Sequence, residues 1–90
     1  MELNDLRNKL DKIDNQLIKI LAKRMALIPS VAEYKIKNNL PRYQPEREKQ
    51  VLKKIKNLAN KANLNPNLAK NIIKLIIADA HRIEKDLMRK

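Results

Sequence analysis

The 90-residue chain contains no cysteine, no glycine, no phenylalanine and no tryptophan, and its single histidine is His81. The absence of cysteine excludes disulfides, thiol nucleophiles and cysteine-ligated zinc sites. One histidine cannot form a histidine cluster around a metal ion. Metal-dependent and nucleophilic catalysis are therefore disfavoured, and we expect no metal and no cofactor.

Long apolar runs are absent as well. No stretch of the sequence approaches the ~20 apolar residues that span a bilayer, and the first residues do not resemble a signal peptide. We expect a cytoplasmic protein that does not contact the membrane. The length predicts a single domain, 1–90, without a regulatory or second catalytic domain. Because so short a chain buries only a modest part of its surface, association with a second copy is favoured.

Acidic residues are few: 10 Asp and Glu stand against 21 Lys and Arg, which gives a net charge of +11. Such a balance can indicate nucleic-acid binding. The lysines, however, are spread around the predicted helices, and only Tyr34 and Tyr43 can stack on bases. A basic helical dimer that binds nucleic acid is an alternative, but we expect no nucleic acid to be bound.

Apolar residues recur at helical spacing throughout the chain and no segment alternates like a strand, which predicts an all-α fold of three helices. The first helix is long, residues 4–38, and is kinked by Pro29, because proline lacks a backbone donor and clashes with the preceding turn. The second helix covers residues 45–63, and the third begins at Pro66 behind the N-cap Asn65. The second helix should bury one side, formed by Val51, Leu52, Ile55, Leu58 and Ala62.

Cations interrupt the apolar stripe of the first helix. Its heptad positions are apolar apart from Arg24, and a cation on such a seam costs free energy unless it is paired. Lys35 lies one position beside the seam. Arg24 and Lys35 are 11 positions apart, so they share a face of the helix with Cα atoms ~16 Å apart. A small molecule can be held between them. The apolar seam positions are Leu3, Leu6, Leu10, Ile13, Leu17, Ile20, Leu27, Val31 and Tyr34.

Arg7 also lies beside the seam, but 28 residues before Lys35, which is ~42 Å along a helix. Within one chain it cannot join the same site. If two copies of the helix pack antiparallel, Arg7 of the partner subunit reaches the segment between Arg24 and Lys35, which gives two equal sites per dimer. Arg47 and Glu48 open the next helix. Arginine binds carboxylates bidentately and a carboxylate accepts from a hydroxyl, so the set suits a small dianion with a hydroxyl group.

Each of these residues also has a structural explanation. Arg24 can form an interhelical salt bridge that fixes the register of a coiled coil. Arg7 and Lys35 can be flanking residues whose charged ends reach the solvent. Arg47 and Glu48 can be ordinary charges in the first turn of a helix.

The spacing Arg7-x16-Arg24-x10-Lys35-x11-Arg47-Glu48 resembles the helical class of chorismate mutases, and the resemblance covers nearly the whole chain. It implies a homodimer in which three helices from each chain intertwine into a helical bundle. The implied activity is conversion of chorismate to prephenate on the shikimate route to phenylalanine and tyrosine. This intramolecular rearrangement needs no cofactor, only electrostatic stabilisation and a held conformer. The matching segments are Leu6-Arg7, Ile13-Asp14, Leu21 to Arg24, Val31 to Lys35 and Pro45 to Glu48.

The resemblance also implies a role for each site residue. Arg7 of the partner subunit and Arg24 would bind the substrate carboxylates, and Lys35 would donate to the ether oxygen. Glu48 would hold the ring hydroxyl, with Arg47 supporting the binding of the anion.

Three positions depart from the family pattern. Gln44 stands where many relatives have an acidic residue near the ring hydroxyl, and Ala80 where some have serine. Glu84 stands where many have glutamine as a second donor to the ether oxygen. Because an ionised carboxylate cannot donate, Glu84 would have to carry a proton for that role. The alternative for Glu84 is a solvated charge on the third helix.

A second enzymatic hypothesis is isochorismate-pyruvate lyase, which shares this fold and uses similar cations. Glu48 argues against it, since that activity is associated with a less polar residue at this position.

Overall fold

A computed structural model describes residues 2–89 as four helices without a strand among them. Helix α1 covers Leu3–Ala26, α2 covers Ile28–Lys37, α3 covers Pro45–Lys61 and α4 covers Pro66–Leu87. The prediction of an all-α fold is confirmed. None of these helices is long and apolar enough to cross a membrane.

Helices α1 and α2 together form the predicted long first helix, with a break at Leu27. This residue keeps right-handed helical angles, φ −82° and ψ −19°. Its N–H donates to the carbonyl of Arg24 at 3.2 Å, a tighter turn than the α-helical one, and its own carbonyl accepts from Val31. Because Pro29 has no N–H to offer the preceding turn, the ladder is interrupted there and resumes immediately. The prediction of one helix bent near Pro29 is confirmed.

The remaining helix boundaries follow from local sequence. Pro45 and Pro66 open α3 and α4, and the Asn65 side chain accepts from the N–H of Asn67 at 2.9 Å. Asn39 and Asn63 follow the ends of α2 and α3 with φ of 55°. This left-handed position usually holds glycine, and asparagine is the common substitute in a chain that has none.

Alanine predominates among the buried residues at the interface of α2, α3 and α4. Helix α3 packs along α4, and α2 packs against α4. The apolar residues buried there are Ile28, Ala32, Ala59, Ala69 and Ala80. Of the side of α3 predicted to be buried, Val51, Leu52 and Ile55 are half-buried, but Leu58 and Ala62 are exposed. That part of the prediction was wrong, because α3 turns Ala59 towards α4 and leaves its neighbours at the rim.

Helix α1 extends away from this core. None of its residues is buried, and within residues 2–89 its only extended packing is with α2 at their junction. The chain measures 55 × 23 × 14 Å, with a radius of gyration of 16.4 Å. A compact chain of this length has a radius of about 12 Å. The apolar stripe of α1 is therefore left uncovered within the chain, and Leu10, Ile13 and Leu17 are each more than half exposed.

Candidate active site

A cavity of about 350 Å³ lies where the end of α1 meets α2, α3, α4 and the loop that joins α2 to α3. It contains all but one of the residues that the sequence singled out. The residues from that set that line it are Arg24, Lys35, Gln44, Arg47, Glu48, Ala80 and Glu84. Arg7 is the exception: it lies on the exposed part of α1 and does not line the cavity of its own chain.

Lys35 and Glu84 form an ion pair in the cavity wall. The Lys35 Nζ lies 2.9 Å from Glu84 Oε2, and their side chains are 12% and 6% exposed. Nζ also donates to the backbone carbonyl of Arg42 at 2.7 Å. The two bonds tie α2 to α4 and to the loop after α2. The alternatives in which Glu84 is a solvated charge and Lys35 reaches the solvent were therefore wrong.

Glu48 has a partner that the sequence did not predict. Its Oε2 lies 2.7 Å from Nε2 of His81, and Nδ1 of the same ring lies 2.7 Å from Nη1 of Arg42. The ring of Tyr43 meets the imidazole edge-on, with centroids 6.1 Å apart. Arg42 and His81 both line the cavity.

One signal in the sequence indicates His81 but none indicates Arg42. His81 precedes Glu84 by three positions, so the two side chains lie on the same face of α4. Arg42 belongs to a loop without periodicity, and only the folded chain shows where its side chain lies.

The cavity carries an excess of positive charge. Four cations line it, Arg24, Lys35, Arg42 and Arg47, against two carboxylates, Glu48 and Glu84. With a neutral histidine the excess is two charges. The other walls are apolar, formed by Ile28, Val31, Val51 and Ile77. Opposite charges attract each other more strongly in apolar surroundings than in water. The cavity therefore suits a small organic dianion.

Arg24 faces this cavity without an ion-pair partner in the part of the chain that the structure describes. A salt bridge within the chain therefore does not explain it. The residues described hold no group of three or more side chains suited to a metal ion.

Comparison with known proteins identifies the family. A model described as chorismate mutase type II matches residues 6–85, a range that includes every residue of the cavity. The chain belongs to the chorismate mutase type II family. The resemblance stated from the spacing of the cations is confirmed.

Three relatives illustrate how this chorismate mutase type II chain compares with longer proteins. The bifunctional chorismate mutase/prephenate dehydratase of Buchnera aphidicola subsp. Schizaphis graminum is 40% identical over 89 residues, which cover 99% of this chain and 23% of the relative. The chorismate mutase of Methanocaldococcus jannaschii is 32% identical over 87 residues, 97% of this chain and 88% of the relative. The T-protein of Enterobacter agglomerans is 33% identical over 85 residues, which cover 94% of this chain and 23% of the relative. The chain thus spans less than a quarter of the length of two of these relatives.

Two features distinguish the cavity of this chorismate mutase type II chain from a simple binding pocket. Its charged groups come from the end of α1, from α2, from the loop after it and from α3 and α4, so the fold must be complete before the site exists. The Lys35 ammonium is also held by two acceptors at once. A donor fixed in advance needs no reorganisation during a reaction, which is the condition for electrostatic catalysis.

Proposed function

We propose that the chain is a chorismate mutase, which rearranges chorismate to prephenate in the biosynthesis of phenylalanine and tyrosine. The observation that carries the proposal is the cavity itself, in which a member of this family has an excess of two positive charges, a fixed lysine and a carboxylate at Glu48. Chorismate is a dicarboxylate with a ring hydroxyl, so a cavity with an excess of positive charge favours its binding.

The reaction breaks a carbon–oxygen bond and forms a carbon–carbon bond within one molecule. It needs no nucleophile and no external proton, so the site has to hold the folded conformer and stabilise negative charge on the ether oxygen. An ammonium has three donors. Lys35 gives one to the carbonyl of Arg42 and one to Glu84, which leaves the third for the ether oxygen.

Arginines take the two carboxylates of the substrate in this proposal. Arg24 lines the cavity and binds one carboxylate, and Arg47 at the rim adds positive potential. The second carboxylate requires Arg7 of the partner subunit. The proposed dimer is supported by the uncovered apolar stripe of α1, since a contiguous exposed apolar surface of this kind typically marks an interface. Two antiparallel copies of α1 would cover each other and bring each Arg7 to the other chain's cavity.

Polar residues on α3 and α4 complete the proposed site. Glu48 accepts from the ring hydroxyl, and Gln44, which also lines the cavity, offers an amide as a further polar group. Ala80 contributes only a methyl group, which leaves room for the ring. Glu84 accepts from Lys35 through Oε2 and so helps to fix the donor that faces the ether oxygen.

The test is to add chorismate and to follow the decay of its ultraviolet absorbance, with prephenate identified as the product. The matched variant is Arg24→Gln, which keeps a polar side chain but shortens it and removes the charge, and it should abolish most turnover. Isochorismate in a parallel assay tests the lyase alternative through release of pyruvate. If the wild-type protein leaves chorismate unchanged while folded, the proposal is wrong.

A further inference from the structure

Glu48, which accepts from the ring hydroxyl in the proposed function, is itself held by a second residue, His81. We use the term His81 network for Arg42, His81 and Glu48, joined by two hydrogen bonds of 2.7 Å each. Its members come from the loop after α2, from α4 and from α3, and His81 lies 39 positions from Arg42 and 33 from Glu48 in the sequence. The spacing that indicates the family includes neither Arg42 nor His81.

The partners on each side determine where the proton of the imidazole lies. A guanidinium has donors only, so Nδ1 of His81 must accept from Nη1 of Arg42. A neutral imidazole then carries its proton on Nε2, which donates to Oε2 of Glu48. A doubly protonated ring would turn an N–H towards the guanidinium, which has no acceptor to offer. The geometry therefore corresponds to one neutral tautomer of His81.

The same contacts fix the orientation of Glu48. Its side chain is 28% exposed and that of His81 is 21% exposed, so neither is held by burial alone. His81 occupies Oε2, and Oε1 is left as an acceptor for a ligand. The ring of Tyr43 lies beside the imidazole at an angle of 65° between the ring planes. Arg42 is anchored in turn, because its backbone carbonyl accepts from Lys35.

We propose that His81, held by Arg42, is a positioning residue that aims the Glu48 carboxylate at the ring hydroxyl of the substrate. The proposal rests on the proposed function, since it assigns the use of Glu48 to that reaction. His81 itself does not touch the reacting atoms and acts only through Glu48. The network also connects the lysine and the carboxylate of the site, because Arg42 contacts Lys35 with its backbone and His81 with its side chain.

The experiment is a double-mutant cycle between His81 and Glu48, with kcat/KM measured for chorismate. His81→Leu removes both hydrogen bonds and should lower kcat/KM roughly ten-fold or more, since small misplacements of a binding group cost up to about a hundred-fold. In a Glu48→Ala background the same change should have no further effect. His81→Gln supplies one donor and one acceptor, as the neutral ring does, and should restore most of the activity. Lys85→Leu, one turn along α4 and exposed, is the matched control and should leave kcat/KM unchanged.

If His81 only stabilised the fold, His81→Leu would lower kcat/KM by the same factor whether or not Glu48 is present. That result would overturn the proposal, as would full activity of His81→Leu.

The tautomer of His81 provides a measurement that does not depend on turnover. Because His81 is the only histidine, its two ring nitrogens give an unambiguous ¹⁵N spectrum, in which Nε2 should carry the proton and Nδ1 should not. A protonated Nδ1 at neutral pH would overturn the network. An inert wild-type enzyme with the expected tautomer would instead refute the proposed function.

Discussion

Lys35 and Glu84 lie 49 positions apart in the sequence and 2.9 Å apart in the structure, where they join α2 to α4. The pair places an ammonium group in the wall of a cavity with an excess of positive charge. It also fixes how that ammonium points, because the carbonyl of Arg42 accepts a second hydrogen bond.

Replacing Lys35 with alanine should therefore abolish most of the activity. Loss of one fixed donor to a developing oxyanion costs about 10²–10³ in kcat. The measurement is steady-state turnover of chorismate. Lys37→Ala, an exposed lysine on the same helix, is the control and should retain wild-type turnover. Equal effects of the two substitutions would contradict a specific role for Lys35.

Glu84 gives a prediction about how Lys35 is held. Its Oε2 accepts from Lys35, and an ionised carboxylate cannot itself donate to the ether oxygen. Glu84→Gln still offers an oxygen to Lys35 and adds an N–H donor, so kcat/KM for chorismate should be preserved or raised. Glu84→Ala removes the acceptor and should lower kcat/KM. Full activity of Glu84→Ala would contradict a role for Glu84 in the site.

The uncovered stripe of α1 predicts a homodimer. Sedimentation at micromolar concentrations should show two chains. Leu10→Glu places a charge on the stripe and should shift the equilibrium towards monomers, whereas Lys9→Glu, one position away, should not. A folded monomer with full activity would contradict both the interface and the shared site.

Complementation tests whether Arg7 acts in the partner's site. Arg7→Ala and Lys35→Ala chains should each be inactive, but a mixed dimer has one site with both wild-type residues. With random exchange about one quarter of all sites should be complete, because half of the dimers are mixed. Arg24→Ala mixed with Lys35→Ala is the control: these residues line the same cavity, so no mixture should recover. Equal behaviour of the two mixtures would place Arg7 outside the partner's site.

The outer face of α4 offers an electrostatic prediction. Asp79 and Arg82 are exposed, and Nε of Arg82 donates to Oδ1 of Asp79 at 2.8 Å. This hydrogen bond, together with the positive charge, lowers the pKa of Asp79 below its ordinary value. Arg82→Ala should therefore raise the pKa of Asp79, as followed by NMR of the carboxyl carbon. An unchanged pKa would show that the pair does not persist in solution.

The sequence predicted those parts of the site that depend on local geometry. Arg24 and Lys35 share a face because the period of a helix places them there, and a proline next to a bend does not destroy that phase. Pro45 similarly predicts the start of the helix that carries Arg47 and Glu48. These relationships involve one helix or one boundary, so they can be read without knowing the fold.

Arg42 and His81 were missed because their contact depends on tertiary packing. A loop residue has no periodicity, and its position relative to α4 follows from how α2 and α3 both pack on that helix. The exposure of Leu58 was mispredicted for a related reason. Apolar spacing shows which side of α3 is apolar, but the small side chain of Ala59 decides which position comes nearest to α4.

Because α1 buries none of its residues within the chain, the proposed dimer would tie the stability of the enzyme to its concentration. Ordering a backbone costs about 1–2 kcal/mol per residue, and an isolated chain recovers little of that from a helix without tertiary contacts. In an obligate dimer, the second subunit supplies this energy by mass action. Dilution would then lower the fraction of folded chain and the number of complete active sites together. The fraction of active enzyme would therefore depend on how much of the chain is synthesised.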